Sequence, residues 1–318
     1  SRRAFLHGKL DLLQAEAVAD LVEAETAAQR AQALRQLGGA LGTLYGGWSA
    51  RLRALLAWQE AVIDFADQDL PADLEAEMTA GVAALRAEIA AHLADGGRGE
   101  RLRGGFTVVV AGPPNVGKSS LLNALAAEDV AIVSSRPGTT RDPVEVRLDL
   151  EGMPVSLVDT AGLRETADEI EAEGIARARA RAARADLVLL LTAPGVPAPP
   201  LPEAAAVLAV ANKTDLAPPP PGVLGVSART GDGIAALRRA LAERARPAPG
   251  AHPPLTRARH RAALEQAAGH LDDALAAGWA DLCAEDLRLA MRALGRLTGT
   301  VGVEDLLDTI FAGFCIGK

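Results

Sequence analysis

From Leu41 the apolar residues fall at Leu41, Leu44, Trp48, Leu52, Leu55 and Val62, largely in steps of three and four. That spacing lines one face of a helix. After Pro71 the same pattern returns at Leu74, Met78, Val82, Leu85, Ile89 and Leu93. One earlier helix is expected over roughly Leu10 to Leu37. Near the other end, Leu264, Ala268, Leu271 and Leu275 predict a further helix, and Leu287, Met291, Leu294 and Leu297 another. A short last helix is expected through Leu306 and Ile310.

Between these helical stretches the pattern changes. Phe106-Thr-Val-Val-Val-Ala111 is an unbroken, β-branched run, the signature of a strand buried on both faces. Val144 to Leu150, Val155 to Val158, Leu187 to Leu191 and Val207 to Ala211 read as four more strands, with helical stretches between most of them. Strand alternating with helix predicts an open, mostly parallel sheet flanked by helices.

Two linkers mark the borders: Asp95-Gly-Gly-Arg-Gly-Glu100, rich in glycine, and Arg246-Pro-Ala-Pro-Gly-Ala-His-Pro-Pro254. Neither is expected to be helical. The tail beyond the second linker is marginal for a core of its own, so it should pack on the N-terminal helices. The expected organisation is a helical domain made of residues 1–102 and 248–318, with an α/β domain inserted at 103–247.

Composition narrows the class. At 318 residues, 49% hydrophobic and 23% charged, the chain has a globular balance and the length for two domains. No apolar run approaches the ~20 residues of a membrane span. The two cysteines, Cys283 and Cys315, make no disulfide framework or zinc spacing, and the five histidines show no metal-ligand pattern. These features fit a cytoplasmic protein. A net charge of −8 speaks against a broad RNA-gripping surface, so any RNA would be held mainly through a partner or a local patch.

The inserted segment carries chemistry. Right after its first strand comes Gly112-Pro-Pro-Asn-Val-Gly-Lys-Ser119, a G-x-x-x-x-G-K-[ST] loop running into a helix. The backbone N–H groups of such a loop, here from Asn115, Val116, Gly117, Lys118, Ser119 and Ser120, wrap phosphates at a helix N-terminus. Lys118 would reach the β and γ phosphates, and the Ser119 hydroxyl would bind magnesium. Ser134-Ser135-Arg136-Pro137-Gly138-Thr139-Thr140-Arg141-Asp142 follows, with Thr140 expected to complete the magnesium shell and sense the γ-phosphate. Asp159-Thr160-Ala161-Gly162 ends a strand. Asn212-Lys213-Thr214-Asp215 follows the Val207 strand, and the Asp215 carboxylate matches the N1–H and 2-amino pair of guanine, which adenine lacks. Ser227-Ala228-Arg229 would offer a backbone N–H to the guanine O6. Five motifs in this order specify a GTP-binding, Ras-like P-loop domain, with Lys118 and Thr140 as candidate catalytic groups. One feature departs from Ras: Leu163 stands where a glutamine would orient the attacking water.

"GPPNVGKSSLLNAL", "GTTRD" and "DTAGL" resemble the translation-associated GTPases that include TrmE, Era and EngA. "RRAFLHGKLDLLQAEAVADL", residues 2 to 21, and the final "FCIGK" resemble the start of the helical domain and the C-terminal signature of the MnmE (TrmE) family of tRNA-modification GTPases. A KH-type G-x-x-G segment, which Era would add, is missing, and so is the second P-loop of EngA. The resemblance implies GTP hydrolysis coupled to C5 modification of the tRNA wobble uridine. It also implies an FAD-dependent partner of the MnmG type, a folate-borne one-carbon unit, and pairing of two G domains in the GTP state. It further implies that Asn115, with Ser134, Arg136 and Thr139, holds a potassium ion, and that Glu171 orients the water in place of the missing glutamine. Lys9 and Lys318 match folate-binding residues. The family's N-terminal folate-binding domain has no counterpart here, so the chain is expected to be a fragment. The segment between Leu191 and Val207 is short for a G domain, and four prolines compress 216–226.

Other candidates are read more plainly. Cys315 is a nucleophile or packing; Asp64, Asp67 and Asp69 are a solvated helix end. Arg141 and Arg164 are read as surface ion-pairing residues rather than arginine fingers, and Arg177 to Arg184 as a solvated helix face rather than an RNA contact. The competing function class is a nucleotide-state switch in ribosome assembly.

Overall fold

The structure, a computed structural model, describes residues 2–64, 74–127, 145–159, 185–197, 206–246, 254–277 and 280–300. The chain divides into two compact units, Ser1–Arg103 with Pro247–Lys318, and Gly104–Arg246.

The first unit is helical: α1 (Arg2–Leu6), α2 (Leu12–Glu23), α3 (Ala27–Leu37), α4 (Ala40–Asp64), α5 (Leu74–Leu93) and α6 (Arg98–Gly104), then α9 (Ala258–Ala276) and α10 (Ala280–Thr298) after the insertion. Its core joins Leu41, Tyr45, Trp48, Leu52 and Leu55 of α4 to Met78, Val82, Leu85 and Ile89 of α5. From the far side come Leu264 and Leu271 of α9 and Leu287, Leu294 and Leu297 of α10. The late helices thus pack on α4 and α5, as the size argument requires. Leu275, placed on the apolar face by its spacing, is 37% exposed.

Two expectations fail. The helix expected from Leu10 to Leu37 is broken in two at Ala24–Thr26, because Thr26 caps α3. Its hydroxyl accepts from the Gln29 N–H, and the Gln29 side chain reaches back to the Thr26 N–H. Such a reciprocal cap contributes about 1 kcal/mol and starts a new helix. The glycine-rich linker reads as irregular from its residues, yet α6 starts inside it at Arg98. Its fold is selected by contacts from afar: Gln32 Nε2 donates to the Gly99 carbonyl at 3.1 Å. A Cβ on Gly99 would lie 2.2 Å from the Leu255 carbonyl oxygen, so only glycine lets the chain beyond the insertion pass there. Asp95 ties the same point, accepting from Leu255 N at 3.1 Å and Arg261 Nη2 at 2.8 Å.

A buried charge cluster binds α2 to α9. Glu16 is fully buried and accepts from Arg259 Nε and Nη2 at 2.6 Å each; His260 Nε2 lies at 2.9 Å and Arg257 Nε at 3.3 Å. One turn on, Asp20 accepts from Arg103 at 2.7 Å and Arg257 at 2.6 Å. Burial alone would raise the Glu16 carboxyl, but the hydrogen bonds of His260 and Arg259 outweigh it and bring it to about 2. Burial holds the His260 imidazole below its ordinary range against the pull of Glu16. The ring is therefore neutral at pH 7 and donates its Nε2–H to an ionised Glu16.

The second unit is a six-stranded sheet of order β2-β3-β1-β4-β5-β6. The strands are β1 (Phe106–Ala111), β2 (Glu145–Leu150), β3 (Met153–Asp159), β4 (Leu187–Thr192), β5 (Val207–Ala211) and β6 (Leu224–Gly225), with α7 (Lys118–Ala126) and α8 (Ile234–Ala245). Among the described strands only β2 runs antiparallel to its neighbour, joined to β3 by a two-residue turn at Glu151-Gly152, both with positive φ. β1 lies between β3 and β4, parallel to both. This is the point where strand order reverses, and the crevice beyond it is where open α/β sheets bind ligands. Among the described residues no helix is long and apolar enough to cross a membrane.

Candidate functional site

Four segments meet beyond the carboxyl ends of the parallel strands. β1 delivers the phosphate loop, β3 ends at Asp159, β5 runs into Asn212-Lys213-Thr214-Asp215, and β6 leads to Ser227. The central strands β1 and β4 are largely buried and apolar up to these ends, so each polar group is presented from a packed base.

The loop turns into α7 through Gly117, which has φ +94°. A Cβ there would sit 2.4 Å from Asn212 Nδ2. Gly117→Ala is therefore expected to cost about 1–3 kcal/mol through strained backbone and a displaced Asn212. A lowered unfolding midpoint together with weakened nucleotide binding would show it; an unchanged protein would contradict it. Lys118 is buried, and its Nζ donates to the Gly112 and Pro113 carbonyls at 2.9 and 3.0 Å. The ammonium is thus folded over the loop whose N–H groups it supplements. Ser119 Oγ donates to Asp159 Oδ2 at 3.1 Å. A hydroxyl beside a buried carboxylate offers hard oxygen donors that suit magnesium, so these two residues fit the ion that the motifs imply.

The loop is pinned from β5. Asn212 is buried; its Nδ2 donates to the Val116 carbonyl at 2.8 Å, and its Oδ1 accepts from Ala228 N at 3.1 Å. Lys213 Nζ donates to the Asn115 carbonyl at 2.7 Å. Both Asn115 and Lys213 have φ near +64°, a conformation such tertiary bonds hold in place. Next to them, Asp215 Oδ1 accepts from Ser227 Oγ at 2.8 Å, and Oδ2 lies 3.3 Å from Arg229 Nε. The Ser227 hydrogen bond, aided by Arg229 and Lys213, holds this carboxyl below the usual range. A fixed carboxylate two residues beyond Lys213, which bonds the phosphate loop, suits a ligand that carries paired N–H donors at one end and phosphates at the other.

A family model for the MnmE helical domain matches residues 12–315. The chain belongs to the MnmE family. The tRNA modification GTPase MnmE of Gluconacetobacter diazotrophicus is 58% identical over 322 residues, covering 100% of this chain and 74% of that protein. The corresponding MnmE of Parvibaculum lavamentivorans is 58% identical over 328 residues, covering 100% and 75%. The G domain of the T. maritima FeoB iron transporter is 25% identical and covers 44% of this chain and 99% of its own, with a TM-score of 0.32. At that score the likeness decides nothing.

Of the residues picked out by motif, the structure of this MnmE-family chain brings together Asn115, Val116, Gly117, Lys118, Ser119, Asp159, Asn212, Lys213, Asp215, Ser227, Ala228 and Arg229. Ser120 is exposed on α7, and Thr214 N donates to the Val226 carbonyl at 3.1 Å. Lys9 is exposed after α1. Ser134 to Thr140, Arg141, Thr160 to Gly162, Leu163, Arg164, Glu171, Cys315 and Lys318 lie outside the described residues. Sequence reasoning missed the pinning roles of Asn212 and Lys213. It also missed that, within the Ser227-Ala228-Arg229 segment expected to offer a backbone N–H to guanine, the Ala228 N–H donates to Asn212. The pairing of Arg229 with Asp215 was likewise not foreseen. Each depends on loops far apart in sequence, and spacing carries no trace of it.

Proposed function

We propose that the inserted domain binds GTP and hydrolyses it to GDP and phosphate, and that the cycle drives C5 modification of the tRNA wobble uridine with an FAD-dependent partner. The observation that carries this reading is the joining of two loops. Asn212 and Lys213 bond to the main chain of Asn115 and Val116, so base-reading and phosphate-holding segments move as one. Membership of the MnmE family supports the tRNA assignment, since its relatives are named tRNA modification GTPases.

In this reading Asp215 selects guanine, the loop N–H groups and Lys118 hold the phosphates, and Ser119 with Thr140 holds magnesium near Asp159. Lys118 supplies charge where it develops on the transferred phosphoryl group. Glu171 orients the attacking water, a task Leu163 cannot perform. Asn115 is exposed and offers a neutral oxygen donor. With Ser134, Arg136 and Thr139 it would complete an all-oxygen set that suits potassium. When bound, that ion supplies positive charge beside the β–γ bridge and orders the switch segment between two paired G domains. A folate derivative would require the additional domain.

The test is the GTP hydrolysis rate in potassium against sodium at equal ionic strength. It should be at least about tenfold faster in potassium. Asn115→Ala should abolish the difference, and Glu171→Ala should slow hydrolysis while leaving potassium-driven pairing intact. Equal rates in the two salts, with GTP bound, would overturn the potassium mechanism while leaving GTP hydrolysis itself standing.

A further inference from the structure

We propose that His270, Asp273 and Asp286 form a binding site for a first-row divalent metal ion of the zinc class. The ligand atoms of the three side chains all lie within 4.8 Å of one another. His270 and Asp273 stand one turn apart on α9, at the i, i+3 spacing that puts side chains on one face. Asp286 reaches them from α10. The three donors therefore come from two helices, and the site spans the seam between them.

The donors are held by the core. Leu271 and Ala274 on α9, and Leu287 and Ala290 on α10, flank the three residues in sequence and are buried in the helical core. The backbone positions are thus set by apolar packing before any ion arrives, which is the preorganisation a metal site needs.

The charges around the cluster point the same way. Asp272 is clamped by Arg86 through both oxygens, at 2.7 and 2.8 Å. Glu285 accepts from Arg288 at 3.1 Å. The acids beside the cluster thus each have an arginine. Among the described residues, no hydrogen bond or ion pair engages the side chains of His270, Asp273 or Asp286. Two carboxylates converge there, and among the described residues neither forms an ion pair with an arginine or lysine. A cation is the ligand such a cluster selects.

The donor set chooses among cations. One imidazole nitrogen and two carboxylate oxygens suit zinc, cobalt or manganese. Calcium and magnesium take oxygen ligands and make little use of an imidazole, and copper(I) prefers sulfur. Asp273 is exposed, while His270 and Asp286 are half-buried. The ion therefore has a path in, and water can fill the remaining positions. Bound there it ties α9 to α10. It takes no part in GTP chemistry, and the proposal stands apart from that reading.

The experiment titrates the full chain with zinc chloride by calorimetry, with magnesium and GDP present to occupy the nucleotide site. Cobalt(II) replaces zinc in a parallel absorption measurement. One ion per chain is expected, with a visible ligand-field band for cobalt and a higher unfolding midpoint for the zinc-loaded protein. His270→Ala and Asp286→Asn should each weaken binding at least about tenfold and remove both the band and the midpoint rise. Asp272→Asn, next door but clamped by Arg86, should bind as before. Failure to bind zinc up to about millimolar concentration, a free energy near −4 kcal/mol, would overturn the site. So would binding that His270→Ala and Asp286→Asn leave unchanged.

Discussion

Replacing Asp215 by asparagine is expected to exchange the base preference from guanine to xanthine. In the proposed reading the carboxylate accepts from two guanine N–H groups, whereas the amide would keep one acceptor and gain donors. Xanthine carries an oxygen where guanine has its amino group, so the amide finds a partner there. Losing a charged, two-point contact should cost roughly 2–3 kcal/mol, or about 30- to 150-fold in GTP affinity. The effect should fall on affinity alone, since Asn212 and Lys213 hold the loop independently of the Asp215 side chain. Competition binding of GTP and xanthosine triphosphate would measure it. A variant with undiminished GTP affinity would remove Asp215 from the guanine site.

Glu16→Gln should destabilise the helical unit by about 3–5 kcal/mol, the usual cost of breaking a buried ion pair from one side. The amide cannot accept from Arg259, Arg257 and His260 together, and two guanidinium charges lose their counter-charge in the interior. The native carboxyl also predicts a pH dependence. Its folded value of about 2 lies below the ordinary 4.5. A group depressed on folding adds stability that is full above its unfolded value and is lost as pH falls through the folded one. The loss therefore runs from about pH 5 down to pH 2 and amounts to about 3 kcal/mol. Urea unfolding followed by helix circular dichroism at pH 7 and at about pH 2 would report both effects. In Glu16→Gln the acid-dependent part should shrink by that amount; the same pH slope in both proteins would mean that another carboxylate carries it.

The sheet and the long helices were legible because each obeys one rule over many residues. Leu41, Trp48, Leu52 and Leu55 repeat at helical spacing, and Phe106 to Ala111 is apolar without a break. The phosphate loop was legible because its chemistry fixes residue types at consecutive positions. The break before α3 was present as Thr26 and Gln29, a capping pair, but the apolar pattern runs through it and hides it. The helix at Arg98 was not legible. Asp95, Gln32 and Leu255 select it, and the last lies more than a hundred residues away. The Glu16 cluster was equally hidden. Nothing local in "RARHR" at 257–261 says that Arg257, Arg259 and His260 turn inward to one carboxylate. Asn212 and Lys213 were recognised for the base, while their bonds to Asn115 and Val116 depended on how β5 and β1 come together.

Gly99 lets Leu255 pass in contact with it, and Asp20 bonds to Arg103 and Arg257 on the two sides of the insertion. The chain thus leaves the helical unit and returns to it at one place, and this sets the order of assembly. During synthesis α2 to α5 emerge before the insertion, with the apolar faces of α4 and α5 uncovered, and the helices that cover them come only after residue 246. A disordered insertion would have to be closed as a long loop, at an entropic cost that grows with the logarithm of its length. An insertion that folds first shortens the loop and brings its own ends under control. The α/β unit is therefore a folding device for its host as well as a nucleotide site. A substitution that slows its folding would prolong the exposure of α4 and α5, the condition under which partly made chains aggregate.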